Sequence, residues 1–308
     1  MVDYLVITGG IGGAKLALGL SRTLAPAEVA FVVNTGDDFE HLGLRISPDI
    51  DTLVYTLAGL ANTALGWGRQ DESWQFMDTL EVLGGETWFR LGDRDLALHV
   101  RRTALLDSGL SLTRATRILG QALGVQHRIL PMSDDPVSTC VITTDGPLAF
   151  QHYFVRDRCA PAVTGFEFQG LASAAANPQM MSLLDDLKGI IICPSNPFVS
   201  VDPLLSLPGV KDALRHCAAP VVAVSPIIAG SAIKGPTAKM MQELGFPATA
   251  AQVAAHYGDL LDGFIVDNAD ADLVGHLEVP TVATATLMVT LADRDALART
   301  TLEFIAAL

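Results

Sequence analysis

Five short apolar runs, each halted by a cluster of small or polar residues, limit what this chain can become. They cover residues 4–8, 29–33, 189–193, 221–224 and 264–266. The clusters that follow are Gly9-Gly10, Asn34-Thr35-Gly36-Asp37-Asp38, Pro194-Ser195-Asn196-Pro197, Ser225-Pro226 and Asp267-Asn268. Runs that are hydrophobic at nearly every position mark strands buried on both faces. Helix-period patterns, such as 15–24 and 236–244, separate many of them. The alternation predicts an α/β fold, a doubly wound, mostly parallel, Rossmann-like sheet with helices on both faces. Ligands on such sheets bind beyond the carboxyl ends of the strands. The polar clusters fall there.

Two segments depart from this rhythm. Residues from about 53 to 124 read as mainly helical and contain Trp67, Trp74 and Trp88, which predicts a helical insertion capping one end of the sheet. Further on, STCVITT and LAFQHYFV flank Asp145-Gly146, a pair that favours a type I′ β-hairpin. No internal repeat or charged linker divides the chain, so residues 1–308 are expected to form a single domain.

Composition narrows the partners. A formal net charge of −14, with no basic run to offset it, argues against nucleic acid and against anionic membrane surfaces. The four cysteines, Cys140, Cys159, Cys193 and Cys217, form no CxxC pair and read as reduced thiols. The start at DYLVITGG lacks the pattern of a signal peptide, and no apolar run is long enough to span a bilayer. A cytoplasmic location is the expectation.

The turn Gly9-Gly10-Ile11-Gly12-Gly13-Ala14-Lys15 follows the first strand. Glycines let backbone amides approach a phosphate, and the next helix directs its positive end at the anion. The turn matches neither the Walker spacing nor the dinucleotide fingerprint. It also serves as a bare strand-to-helix turn. Asp37 and Asp38, then Asp49 and Asp51 in PDIDT, place four carboxylates near strand ends, a donor set that suits Mg²⁺. Ser133-Asp134-Asp135 adds a third acidic cluster; single aspartates of this kind also cap helices. Arg45, Arg90, Arg94, Arg101 and Arg102 are further candidates for phosphate or carboxylate, although helix arginines commonly pair locally. His41, His99 and His152 are isolated and read as structural or polar-lining. Ser195, Asn196 and Lys234 supply donors at later strand ends, and the DNAD stretch from Asp267 is a candidate to read a base edge.

Taken in order, the motifs ITGGIGGAKL, NTGDDFEHLGLRISPDIDT, WFRLGDRDLALHVRRT, ILPMSDDPVSTCVIT, IICPSNPFVSVDP, VSPIIAGSAIKGPTAKMM and FIVDNAD cover nearly the whole chain. Together they resemble the 2-phospho-lactate transferase family of coenzyme F420 biosynthesis, known as CofD or FbiA. The resemblance implies transfer of a phospho-acid from its guanosine diphosphate conjugate to the ribityl hydroxyl of the deazaflavin Fo, with release of GMP. The acid is 2-phospholactate, phosphoenolpyruvate or 3-phosphoglycerate in different members. It further implies a homodimer, nucleotide phosphates against Gly9, Gly10, Gly12 and Gly13, and metal and Fo at Asp37, Asp38, Asp49 and Asp51. Lys15, Asn34, Thr35, Arg45, Ser133, Asp134, Asp135, Ser195, Asn196 and Lys234 are carried as substrate-binding candidates. Which carboxylate acts as base stays open between Asp51 and Asp49. Asp51→Asn is expected to abolish turnover and leave the fold intact. Two alternatives remain: a nucleotide-sugar-binding regulator of the gluconeogenesis-factor type, and a nicotinamide-dependent oxidoreductase on the same sheet.

Overall fold

The computed structural model describes residues 1–63, 67–232 and 235–308. In chain order its strands are β1 (Tyr4–Thr8), β2 (Val29–Val33), β3 (Phe39–His41), β4 (Leu44–Ile46), β5 (Arg128–Pro131), β6 (Ser138–Thr143) and β7 (Gly146–Ala149). There follow β8 (Val163–Gln169), β9 (Gly189–Ile192), β10 (Val221–Val224), β11 (Ile227–Ile228), β12 (Ser231–Ala232), β13 (Gly263–Asp267) and β14 (Thr281–Thr284). The helices are α1 (Gly10–Thr23), α2 (Pro48–Leu57), α3 (Gln75–Val82), α4 (Asp93–Asp107), α5 (Leu112–Ala122) and α6 (Pro178–Met181). After them come α7 (Asp202–Leu205), α8 (Val210–His216), α9 (Thr237–Glu243), α10 (Ala250–Tyr257) and α11 (Leu291–Ala307). Among the described residues no helix is long and apolar enough to cross a membrane.

The main sheet is seven-stranded and parallel, in the order β14-β13-β10-β9-β1-β2-β5. All five apolar runs lie in it, as the sequence predicts. Successive residues of β1 serve opposite faces: Leu5 and Ile7 join one core, and Val6 joins the other. The second core is closed by α1, α2 and α11, through residues such as Leu16, Leu53 and Leu297. The edge strands β5 and β14 escape the pattern. β5 ends in Pro131, which an edge tolerates because it needs no ladder donor on its open side. The four residues of β14 are only half-buried Thr, Val and Ala.

Between β2 and β5 the chain makes the expected helical excursion, but its first helix begins at Pro48, earlier than the predicted start. Tyr55, Leu98, Leu105, Ala115 and Leu119 give it a small core of its own. The hairpin is also present, with two corrections. Its register pairs Thr143 with Gly146, so the central residues are Thr144 and Asp145; neither has positive φ, which excludes a type I′ turn. Nor does β7 extend through the whole predicted strand. It stops at Ala149, and residues His152–Arg156 coil into a π-helical turn.

Candidate active site

The sheet changes direction at β1, whose neighbours β2 and β9 are reached by connections running opposite ways. A crevice opens at such a point, beyond the carboxyl ends of the two central strands. Here the loops after β1 and β9 are tied together. Gly9 N donates to Ser195 Oγ at 3.2 Å, and that hydroxyl donates back to Gly9 O at 2.8 Å. The glycines of the turn do different jobs. A Cβ on Gly12 would lie 2.5 Å from the Pro194 carbonyl oxygen, and one on Gly13 would lie 2.2 Å from Thr8 Oγ1. Close packing requires both. Gly10 has open space around it but a φ of +65°, which only glycine adopts without strain. The first turn of α1 carries no acidic side chain, so its positive end stays uncompensated by its own helix.

A cavity of about 600 Å³ lies over this point. Gly9, Gly10, Gly12, Lys15, Ser195 and Asn196 line it, and so do Asp37, Asp49 and Asp51. Lys15 Nζ donates to Met288 O at 2.9 Å, which holds the ammonium on the cavity wall. Asn196 uses its amide oxygen to cap Phe198 N at 3.0 Å.

Asp49 accepts from Gly10 N at 2.7 Å through Oδ1 and from Asn34 Nδ2 at 3.0 Å through Oδ2. Burial nevertheless pushes its carboxyl up to about 6. Asp37 is raised well above its ordinary value, first by burial and then by the charge of Asp49. Its Oδ1 is buried without a hydrogen-bond partner. Asp38 is raised too, mainly by burial, with Ser47 Oγ donating to its Oδ2 at 2.6 Å; it does not line the cavity.

Asp51 has a different job. Arg102, fully buried on α4, donates Nη1 to Asp51 Oδ2 at 3.0 Å and Nη2 to Oδ1. Both carboxylate oxygens are thereby committed to one cation. This pairing gives Asp51 a structural role that the sequence reading did not assign to it, so Asp51→Asn is expected to cost stability as well as turnover. Removing one partner of a buried ion pair strands the other and costs about 3–5 kcal/mol. Along α4, His99 Nδ1 lies 3.2 Å from Arg102 Nη1, and His99 Nε2 lies 3.3 Å from Asp95 Oδ1. Tyr55 of α2 donates to that same Oδ1 at 2.6 Å.

Part of the lining is aromatic. Trp88 and Phe89 line the cavity and pack with Phe39, His41 and His152, and Trp67, whose ring centre lies 6.4 Å from that of Trp74, lines it too. Arg90 lies over the ring of Trp74 at 4.5 Å, and it too faces the cavity.

Several sequence candidates lie elsewhere. Asn34 and Thr35 are buried behind the cavity, and Asn34 holds Asp49 and Gly36 N in place. Arg45 is at the surface, 3.4 Å from Glu40. Ser133, Asp134 and Asp135 do not line the cavity because their side chains tie loops together. Ser133 Oγ donates to Ala175 O, Asp134 accepts from Thr113 N, and Asp135 accepts from Ala175 N. Asp267 does not face the cavity either; it accepts from Thr286 N and Oγ1, positioning a segment that does. Lys234 lies outside the described residues. Sequence reasoning missed Tyr55, Asp95, Gln151 and Arg158 as cavity residues. A signal for Asp95 exists: Asp95, His99 and Arg102 recur at helical spacing on one face of α4.

The comparisons with known proteins agree with this geometry. The family described as 2-phospho-L-lactate transferase CofD matches residues 5–305. A protein named phosphoenolpyruvate transferase from Streptomyces griseus is 38% identical over 300 residues, spanning 96% of this chain and 94% of its own. One of the same name from Thermobifida fusca is 40% identical over 284 residues, 88% of each chain. A 2-phospho-L-lactate transferase from Methanosarcina mazei is 37% identical over 266 residues, 86% of this chain and 87% of its own. In fold, a crystal structure of a UPF0052 family member from Bacillus halodurans superposes with a TM-score of 0.66 at 14% identity, covering 98% and 99% of the two chains. The chain is therefore a transferase and belongs to the 2-phospho-L-lactate transferase CofD family.

Proposed function

We propose that this transferase moves a phospho-acid from its guanosine diphosphate conjugate to the terminal ribityl hydroxyl of Fo, releasing GMP, in coenzyme F420 biosynthesis. The observation that carries the reading is the mixed lining of the cavity. It joins the glycine turn and the amino end of α1 with buried carboxylates and with Trp67, Trp88 and Phe89. An anionic diphosphate suits the glycine turn and the amino end of α1, whose first turn carries no acidic side chain of its own. A planar, largely apolar ring system suits the aromatic residues. The names of the relatives support phosphoenolpyruvate or 2-phospholactate as the acid, while 3-phosphoglycerate rests on the sequence resemblance alone.

Mg²⁺ belongs to the proposal, and the residues present fit it. Among the described residues no three acidic or histidine groups converge into a ready-made cage. Mg²⁺ commonly needs only one or two carboxylates, with phosphate oxygens and water completing its shell. Asp37 and Asp49 supply such a pair, and the orphaned Asp37 Oδ1 is a buried acceptor in want of a cation. When bound, the metal neutralises diphosphate charge. Phosphoryl transfer asks mainly for positioning and electrostatic stabilisation. Lys15 and the amides of α1 provide positive character, Ser195 fixes the turn, and the aromatic wall excludes water.

The test is a mass-spectrometric assay of purified protein with Fo, Mg²⁺, GTP and a guanylyltransferase, each of the three acids being offered separately. A metal-dependent Fo phosphodiester and stoichiometric GMP are expected. A folded protein that forms no diester with any acid, while the donor accumulates, overturns the reading.

A further inference from the structure

The hydrogen-bond chain between α2 and α4 has a direction. A guanidinium only donates, so Arg102 Nη1 makes His99 Nδ1 an acceptor, which leaves the neutral ring's proton on Nε2, 3.3 Å from Asp95 Oδ1 but outside hydrogen-bond geometry. Tyr55 donates to the same oxygen. Oδ1 thus has one hydrogen-bond donor, the Tyr55 hydroxyl, with His99 Nε2 close by at 3.3 Å. No hydrogen bond reaches Oδ2 among the described residues, and Asp95 lines the cavity with 16% of its side chain exposed. Burial, the largest influence, raises the Asp95 carboxyl, but His99, Tyr55 and Arg102 outweigh it and leave it below its ordinary value. Asp51, by contrast, has both oxygens occupied by Arg102.

We propose that Asp95, not Asp51, is the catalytic carboxylate that takes the proton of the acceptor's attacking hydroxyl, with Tyr55 and His99 as the positioning residues that orient it. The assignment rests on the phospho-acid transfer proposed above. The acceptor oxygen forms a bond to the acid-bearing phosphorus, and the bond from that phosphorus to the bridging oxygen breaks. GMP leaves with the electron pair, and the hydroxyl proton goes to Asp95 Oδ2. Helix α4 then supplies the base, while the loops after β1 and β2 and the first turn of α2 supply the phosphate and metal residues. The two carboxyl-bearing regions have separate duties.

Steady-state kinetics of Asp95→Asn test this, because the amide keeps an oxygen for Tyr55 and removes the base. The expected loss is about 10²–10⁴-fold in kcat, the span of general base catalysis, at an unchanged KM for Fo and unchanged GDP affinity. Tyr55→Phe is expected to lower kcat about tenfold at unchanged KM, as a misoriented base would. Wild-type kcat in Asp95→Asn, beside a wild type that turns over, overturns the assignment alone. A wild type that forms no diester overturns the transfer reading and the assignment with it. If Asp95→Asn fails to fold, the wild-type structure with Fo bound decides. A terminal hydroxyl within hydrogen-bond reach of Asp95 supports the assignment, and one against Asp51 overturns it.

Discussion

Asp49 and Asp51 stand two residues apart in the first turn of α2, both buried, and the fold treats them in opposite ways. At about 100° per residue they point to nearly opposite sides of the helix. Asp51 faces α4 and receives a bidentate guanidinium from Arg102. Asp49 faces β1 and β2 and receives one amide N–H, one side-chain amide, and the repulsion of Asp37. One carboxylate is neutralised by a cation that belongs to the protein. The Asp37–Asp49 pair has no such partner cation among the described residues, and the proposed Mg²⁺ would supply one. Structure and site are thereby divided within a single helical turn.

The largest effect expected from this contrast is at the compensated pair. Arg102→Met leaves Asp51 buried without its cation, and a loss of about 3–5 kcal/mol is expected in chemical denaturation. Adding Asp51→Leu to that variant is expected to recover much of the loss; no recovery would break the picture of a mutually dependent pair.

The uncompensated pair predicts a pH dependence. Asp49 is pushed up to about 6 from an ordinary 3.8, so the folded protein binds its proton more tightly than the unfolded chain. Its contribution therefore falls as pH rises through that window, by roughly 3 kcal/mol in total at 1.4 kcal/mol per unit. Asp37 acts in the same direction. Metal-free protein is expected to gain more from Mg²⁺ at pH 7.5 than at pH 5, read as a shift in melting temperature. Asp37→Asn is expected to reduce that difference, and an equal Mg²⁺ shift at both pH values would count against the site. A smaller effect is expected at Asp38, which sits between the two regimes. Ser47→Ala removes its 2.6 Å donor and should cost about 1.5 kcal/mol, measurable by urea titration at pH 7.5.

Much of the fold was legible because a strand buried on both faces must be apolar at nearly every position, and β1, β2, β9, β10 and β13 are, up to the polar residue that ends β1 and β13. The edge strands were not, since half-buried Thr281–Thr284 carries no such obligation. The glycine turn and the Asp37 stretch reach the cavity because they follow the central strands β1 and β2, whereas Asp49 reaches it from the first turn of α2. Ser133-Asp134-Asp135 looked equivalent on paper. Its loop ends the edge strand β5, away from the crevice, and its oxygens are spent on Thr113 and Ala175 amides.

The sequence by itself determined the layered α/β architecture and the positions where the chain breaks from strand into polar turn, because hydrophobic periodicity and glycine are local properties. Only the tertiary structure decided how the charges are shared out. Whether an aspartate meets an arginine, a second aspartate or a tyrosine depends on which helix face is turned toward it. For Asp51, Arg102 comes from a helix 51 residues further along the chain. Electrostatic energy in a buried site depends on distances of a few ångströms between such groups, and those distances exist only once α2, α4 and the sheet have packed.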